Sequence, residues 1–349
     1  MLSSNEGFTE NTTAIEAANA FAFGIKDKII LITGPTVGGI GFETALGLAR
    51  HSPELLILAG RSAEKINACM EKIREENPGV SLKSVVLDLL SQESCRHAAV
   101  EILNAPDVPK IDILINNAGV MCPQTLQFSP EGIESQFAAN HIGHFLFTNL
   151  ILPKIIQSAN SASSKGSTRI INVSSLGCLC GPVRFSDINC TKMSSELPQD
   201  ERPHPDRLAQ FGVKENQPYT PMIAYGQSKT ANILFSVHLK KLLWEKHGIL
   251  SLALHPGAVR SNLGRHLGFE EVNKAFQGLE MMGLKVKSTA EGASTTVVSA
   301  FNPKLSAEDI ALSDCQPSTA WVPDWALDGQ KAQRLWDLSE QLVGQGFVW

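Results

Sequence analysis

Tyrosine is scarce in this chain, two among 349 residues with aromatics at 6% overall, so chemistry that needs a phenol must draw on Tyr219 or Tyr225. No apolar run is long enough to span a bilayer. The first 26 residues have no basic stretch leading into an apolar core, because Ser3, Asn5, Glu6, Glu10, Asn11 and Glu16 interrupt every apolar run; no secretory signal is expected. A basic excess is missing too. Lys and Arg total 30 against 35 Asp and Glu, a formal net charge of -5, so no broad basic surface is expected and nucleic acid is not an expected partner. The seven cysteines, Cys69, Cys95, Cys122, Cys178, Cys180, Cys190 and Cys315, are odd in number and follow no framework spacing. Ordinary thiols in a reducing compartment, the cytoplasm, are the expectation. Cys178-Leu179-Cys180 has no second Cys or His pair at a ligand spacing, so no metal site is expected.

What the chain does have is alternation. From Lys28 onward, short apolar runs at Ile29 to Thr33, Leu55 to Ala59, Ser84 to Leu87, Ile111 to Ile115, Arg169 to Val173 and Leu250 to Leu254 exchange with stretches of helical length. Examples of the latter are Phe42 to Arg50, Ala63 to Glu75, Gln92 to Leu103 and Ile133 to Ile156. The centres of the runs are apolar on both faces, as in strands held between two helical layers. The pattern predicts a doubly wound α/β fold with a central parallel sheet flanked by helices. No repeat, linker or composition shift divides it, so one domain over 1–349 is expected. Residues 1–26 are an N-terminal extension, and residues 176–221, rich in Pro, Asp, Glu, Arg and Ser, read as a surface insertion. Residues 258–286 carry Leu263, Leu267, Phe269, Phe276, Leu279, Met281, Met282 and Leu284. They read either as a cover over a substrate pocket or as closure of the core.

Directly after the first run comes Thr33-Gly34-Pro35-Thr36-Val37-Gly38-Gly39-Ile40-Gly41 and then a helix, the context of a dinucleotide phosphate loop. Gly34 is read as taking backbone angles closed to other residues, Gly39 as letting the main chain approach a pyrophosphate, and Gly41 as allowing close helix packing. Thr36 and Ile40 complete the loop at a helix N-terminus that favours an anion. This arrangement resembles the short-chain dehydrogenase/reductase family, whose loop reads Thr-Gly, three residues, then Gly-x-Gly; here four residues precede Gly39, so the loop is one residue longer. The resemblance implies a Rossmann-type catalytic domain and a nicotinamide cofactor. Where an acidic residue would bind the ribose of NAD, the chain has Ala59-Gly60-Arg61-Ser62, with Lys65 one helical turn on. A guanidinium there matches a 2′-phosphate and points to NADP(H); the plainer alternative is a solvated arginine at a strand end. The family pattern further places Asp88 and Leu89 by the adenine, and Asn117, Ala118 and Gly119 of Asn116-Asn117-Ala118-Gly119 beside the cofactor.

Tyr225-Gly226-Gln227-Ser228-Lys229 sets a phenol and an ammonium four residues apart, on one face of a helix. Tyr219 has Ile223 at the corresponding place. A carbonyl that accepts a hydride needs a proton at its oxygen, and a phenol with an unperturbed pKa of about 10 is expected to supply it near neutrality if Lys229 stabilises the phenolate. Ser175, in Asn172-Val173-Ser174-Ser175, would hydrogen-bond the same oxygen, and Asn140 would hold a water or backbone link that positions Lys229. Asn140, Ser175, Tyr225 and Lys229 fall in the order and local contexts of the family's catalytic tetrad, in which Tyr225 and Lys229 also meet the cofactor. Ser174 is the alternative serine. His141 is read as packing beside the tetrad rather than as an acid or base. Pro256, Gly257, Val259 and Ser261 resemble the family's turn at the nicotinamide carboxamide.

Tyr225 follows Ser175 by 50 residues, and Val183-Arg184-Phe185-Ser186-Asp187-Ile188-Asn189 opens the interval. This resembles the retinol-dehydrogenase-like and WW-domain-oxidoreductase-like branch, and within it the soluble fungal members. The reading is an NADPH-dependent reductase of a hydrophobic ketone or oxidant of a secondary alcohol in secondary metabolism. Its rivals are a cofactor-binding protein of the same fold without turnover, and a non-redox rearrangement or dehydration. The resemblance also implies a homodimer paired through the long helices over 133–156 and 222–247.

Overall fold

Ile29 and Leu31 enter one apolar cluster and Ile30 and Ile32 the other, so alternate side chains of one run serve opposite faces of a sheet. Each fully buried Ile or Leu contributes about 1.5–3 kcal/mol, and this two-sided burial is why the run contains no polar residue before Thr33. The computed structural model describes residues 7–266, 276–278, 280, 283 and 285–349. Leu267, Phe269, Leu279, Met281, Met282 and Leu284 of the expected covering segment lie outside the described residues.

The strands are β1 (Ile29–Thr33), β2 (Leu55–Gly60), β3 (Leu82–Val86), β4 (Ile113–Asn116), β5 (Arg169–Val173), β6 (Leu250–Leu254), β7 (Ala258–Val259), β8 (Val286–Lys287), β9 (Ala311–Ser313) and β10 (Gln316–Pro317). The main sheet has the order β10-β9-β6-β5-β4-β1-β2-β3. Every pairing in it is parallel except β9 with the edge strand β10. The chain winds outward from β1 to β3, crosses back, and winds outward again from β4, so the strand order reverses between β1 and β4. At that point the loops leaving the two strands part and open a cleft.

Helices α1 (Ala14–Ala20), α2 (Ala22–Ile25), α3 (Ile40–Ala49) and α4 (Ala63–Glu76) bury their apolar residues on one face. On the other lie α5 (Gln92–Asn104), α6 (Ser135–Phe137), a wide π-helical turn at Ala138–Ile142, α7 (Gly143–Asn160) and, after the small helix α8 (Pro205–Gln210), α9 (Pro221–His247). Two further helices follow: α10 (Thr289–Phe301) joins the α1 and α3 side, and α11 (Gly329–Val343) packs beside α9. The doubly wound α/β reading holds. Strands β1, β5 and β6 fall where the sequence places them, whereas β4 starts at Ile113; Asp112 before it keeps backbone bonds to Ile29 and Arg169, and its carboxylate accepts from Ile29 N (2.9 Å) and Ser158 Oγ (2.7 Å).

The two ends of the chain are more structured than their composition implies. In the extension 1–26, Thr13 and Glu16 form a reciprocal cap at the start of α1, and Ala14, Ala17 and Ala18 are buried. The insertion 176–221 is only partly surface: Cys178, Cys180, Val183, Arg184, Cys190 and Glu201 are buried. Glu201 explains why. Its carboxylate accepts from Ser186 N and Oγ and pairs with Arg334 of α11 at 3.1 Å. α11 and the C-terminal tail lie against part of α7 and α9. Trp336 of α11 meets Phe145 edge-on at 4.9 Å and His238 at 4.6 Å, and Trp349 donates to Asn149 at 2.8 Å.

Candidate active site

The carboxyl ends of β1, β4, β5 and β6 deliver the expected site residues to one edge of the sheet. Thr33 ends β1, and its hydroxyl accepts from Asn117 N and Ala118 N at 3.0 Å each, pinning the loop after β4 to the glycine loop. Gly34 has φ +69°, and a Cβ there would lie 2.7 Å from Ala118, so the tight turn admits no side chain. Gly38, to which the sequence reading gave no role of its own, has φ +74°. Gly39 N-caps α3 without a side-chain hydrogen bond. A Cβ on Gly41 would meet Asn117 Nδ2 at 2.5 Å, which supports the close-packing reading. The Asn117 amide donates to Thr33 O at 2.8 Å, so its side chain holds the loop rather than facing a ligand.

A dinucleotide fits what is present. The N-terminus of α3 is capped by no side chain, and the loop before it presents Thr36 and Ile40 half-buried, which leaves main-chain donors for an anion. Arg61 and Lys65 are exposed just past the end of β2, and Gly34 N donates to Ala59 O at 2.7 Å, joining that strand end to the loop. Asp88, half-buried, turns the chain after β3 by accepting from Leu90 N, and Leu89 beside it is buried. Beyond β6, Gly257 has φ +92° after Pro256, while Val259 and Ser261 are half-buried. Asn262, which sequence reasoning also missed, donates to Val37 O at 3.3 Å across the cleft. Leu263 lies next to Gly119, where a Cβ would be 3.9 Å from it and 3.7 Å from Lys229 Nζ.

Pro221 opens α9, and one turn later Tyr225 and Lys229 are both buried. Lys229 Nζ lies 5.7 Å from the centre of the Tyr225 ring. It donates to Val173 O at 2.9 Å and to Asn232 Oδ1 at 3.2 Å. The Ser175 hydroxyl lies near enough to the Tyr225 phenol to offset part of the effect of burial on it, and it accepts from Gly177 N at 3.1 Å. Ser174, buried, donates instead to Lys229 O at 2.7 Å, so of the two serines only Ser175 faces the phenol. Asn140 sits in the π-helical turn, a departure from regular helix that often marks functional positions. Its side chain pairs with Val120 N and O (2.7 and 2.9 Å) and with Ser228 Oγ at 2.9 Å. The Asn140 backbone carbonyl is linked to Lys229 through the side chain of Asn232, three residues beyond Lys229 on the same helix. That i, i+3 spacing was the signal available in the sequence.

One expectation is corrected. Burial raises the Tyr225 hydroxyl above its ordinary value instead of Lys229 lowering it, and burial brings Lys229 down to about 7. Both charged forms lose water, and at this spacing desolvation outweighs their mutual attraction. His141 behaves as read: its Nε2 donates to Ser339 Oγ at 2.8 Å, away from the tetrad. The imidazole that does touch the tetrad is His144, whose Nδ1 lies 3.0 Å from Asn140 O. Cys178 and Cys180 are buried, and burial raises both thiols, Cys180 to about 12. They are inert packing groups.

Gly177 is a further residue the sequence did not single out. A Cβ there would lie 2.8 Å from the Tyr225 ring, so glycine lets the ring lie against the turn at Leu176–Cys180. Gly177→Ala is expected to displace the phenol and lower turnover by about 100-fold, the scale of a misplaced catalytic group. Steady-state rates on folded protein check this; turnover within a few-fold of the parent would show that the ring position is not set there.

A family model described as short chain dehydrogenase matches residues 28–195. Human retinol dehydrogenase 13 is 36% identical over 322 residues, covering 92% of this chain and 86% of that protein. The chain belongs to the short-chain dehydrogenase family, in its retinol-dehydrogenase-like branch. The oxidoreductase fscI of Fusarium equiseti is 34% identical over 250 residues, 72% of this dehydrogenase and 94% of the fungal chain. Among solved structures, a protein from Mycobacterium paratuberculosis superposes with a TM-score of 0.65 at 26% identity, covering 93% and 96% of the two chains. The chain therefore has the Rossmann-like fold of an oxidoreductase family whose members use nicotinamide cofactors. No helix among its described residues is long and apolar enough to cross a membrane.

Proposed function

We propose that the chain is an NADPH-dependent reductase of hydrophobic ketones, acting also on the corresponding secondary alcohols, with Asn140, Ser175, Tyr225 and Lys229 as its working residues. The observation that carries this reading is that buried Tyr225 and Lys229 lie together with half-buried Ser175 at the strand ends that also hold the glycine loop. A bound reduced nicotinamide supplies the hydride. Tyr225, kept protonated by burial, gives its proton to the carbonyl oxygen as charge develops there, and Ser175 hydrogen-bonds that oxygen. The phenolate left behind is stabilised by the Lys229 ammonium, so the carbonyl becomes an alcohol with one hydride and one proton added.

Met222, Cys122 and Leu263 near the tetrad support an apolar substrate: Cys122 Sγ is 3.8 Å from Met222 Sδ, and Met222 reaches the Gly177 turn beside Tyr225. A polyketide-like or terpenoid ketone of secondary metabolism is the class we favour. The free, buried cysteines suit the cytoplasm, and the described fold is read as one catalytic unit.

Arg61, exposed beside the glycine loop, supports NADP(H) over NAD(H). Arg61→Ala is expected to weaken NADPH by about 10- to 100-fold, the loss of one charge-assisted contact of roughly 1.5–3 kcal/mol, with NADH little changed. Calorimetric titration of both cofactors checks this. Equal losses for the two would remove the 2′-phosphate from Arg61.

A further inference from the structure

The side chain of Asn232 joins the lysine of the tetrad to the asparagine of the tetrad. It is 3% exposed; its Oδ1 accepts from Lys229 Nζ at 3.2 Å, and its Nδ2 donates to the backbone carbonyl of Asn140 at 2.7 Å. The orientation of this amide is forced, because an ammonium only donates and a carbonyl only accepts. The same Asn140 carbonyl takes His144 Nδ1 at 3.0 Å, which fixes the proton of His144 on Nδ1. His144 Nε2 is then left to accept from Thr33 Oγ1 at 2.9 Å. A buried line of hydrogen bonds thus runs from the end of β1, under the glycine loop, through His144, the Asn140 carbonyl and Asn232 to Lys229.

We propose that Asn232 is a positioning residue of this site: its amide fixes the Lys229 ammonium beside Tyr225 by tying it to the Asn140 carbonyl. The proposal rests on the functional reading above only in giving that ammonium a task. Apart from Asn232, the hydrogen-bond acceptor of Nζ is Val173 O, a single oxygen for a group with three N–H donors. The titratable groups facing Lys229 and Tyr225 from neighbouring elements are His144 of α7, Cys122 beyond β4 and Cys178 in the turn after β5. None is a carboxylate, so the balance between ammonium and amine depends on neutral oxygens, of which Asn232 supplies one.

The test is nuclear magnetic resonance titration of the lysine Nζ signals in the full-length protein, with the Lys229 signal assigned through its loss in Lys229→Met. Asn232→Leu removes the oxygen and is expected to move the Lys229 midpoint down by about one pH unit. Asn232→Asp keeps the shape, so it is expected to fold, and places a carboxylate against the ammonium; the midpoint moves up by about one unit or more. Opposite shifts support the proposal. Midpoints for both variants that coincide with the parent overturn it, as does a downward shift in Asn232→Asp. Tyr225→Phe turnover is a separate readout: its failure would strike the functional reading and leave the Lys229 titrations untouched.

Discussion

Tyr225→Phe is expected to lower turnover of a hydrophobic ketone with NADPH by roughly 10²- to 10⁴-fold or more, the scale of a lost general acid. Only an oxygen is removed, from a ring that is 2% exposed and packed against the Gly177 turn. The ring's van der Waals contacts therefore survive, and calorimetric affinity for NADPH should stay close to that of the parent. With two tyrosines in the chain, no other phenol is at hand to substitute. Tyr219 gives its hydroxyl proton to Pro123 O at 2.9 Å and accepts from Gln136 at 3.2 Å, a structural bond network apart from Lys229. Full turnover by Tyr225→Phe would take the phenol out of the mechanism.

The second large effect concerns acid. His141, His144 and His255 are buried and held neutral, His141 at about 3 and the other two at about 4, chiefly because burial denies their charged forms water. Above pH 6.5, their ordinary value, both folded and unfolded chains leave them neutral. As pH falls below it, the unfolded chain binds protons that the folded chain refuses, so stability falls by about 2 kcal/mol per imidazole between pH 7 and 5. Glu134 opposes this. Burial raises its carboxyl to about 7, so the folded chain takes up that proton first, and over the same interval it returns about 2 kcal/mol. For these four groups the net loss is on the order of 4 kcal/mol, a large share of a typical domain's 5–15 kcal/mol, and His238, brought down to about 4 by burial, adds to it. Urea unfolding followed by circular dichroism at pH 7 and pH 5 measures it. A midpoint that does not fall at pH 5 would mean that these imidazoles are reached by water or by unseen partners.

Local pattern was enough wherever neighbours in sequence are also neighbours in space. The unbroken apolar run Ile29 to Thr33 could only be a strand with both faces covered, and the glycines that follow it could only turn tightly into a helix. The four-residue step from Tyr225 to Lys229 placed both side chains on one face of α9, because helical periodicity needs no tertiary information. The caps of α1 and α10 also stand in the sequence, as Thr13-Ala14-Ile15-Glu16 and Ser288-Thr289-Ala290-Glu291. Their apolar faces, however, gain a partner only after the sheet has formed.

What the sequence by itself determined is the alternation of strand and helix, the family, and the residue types of the tetrad. The tertiary structure alone decided that Ser174 turns to the Lys229 carbonyl and leaves Ser175 near Tyr225, that Asn232 connects Asn140 to Lys229 while His144 connects it to Thr33, and that α11 packs against α7 and α9. It also decided that burial, not Lys229, governs the protonation of Tyr225. The physical reason is the same each time. Hydrogen bonds such as Thr33 to His144 and Asn232 to Asn140 join residues about a hundred positions apart. The water excluded around them is a property of the assembled core, which no local window of sequence contains.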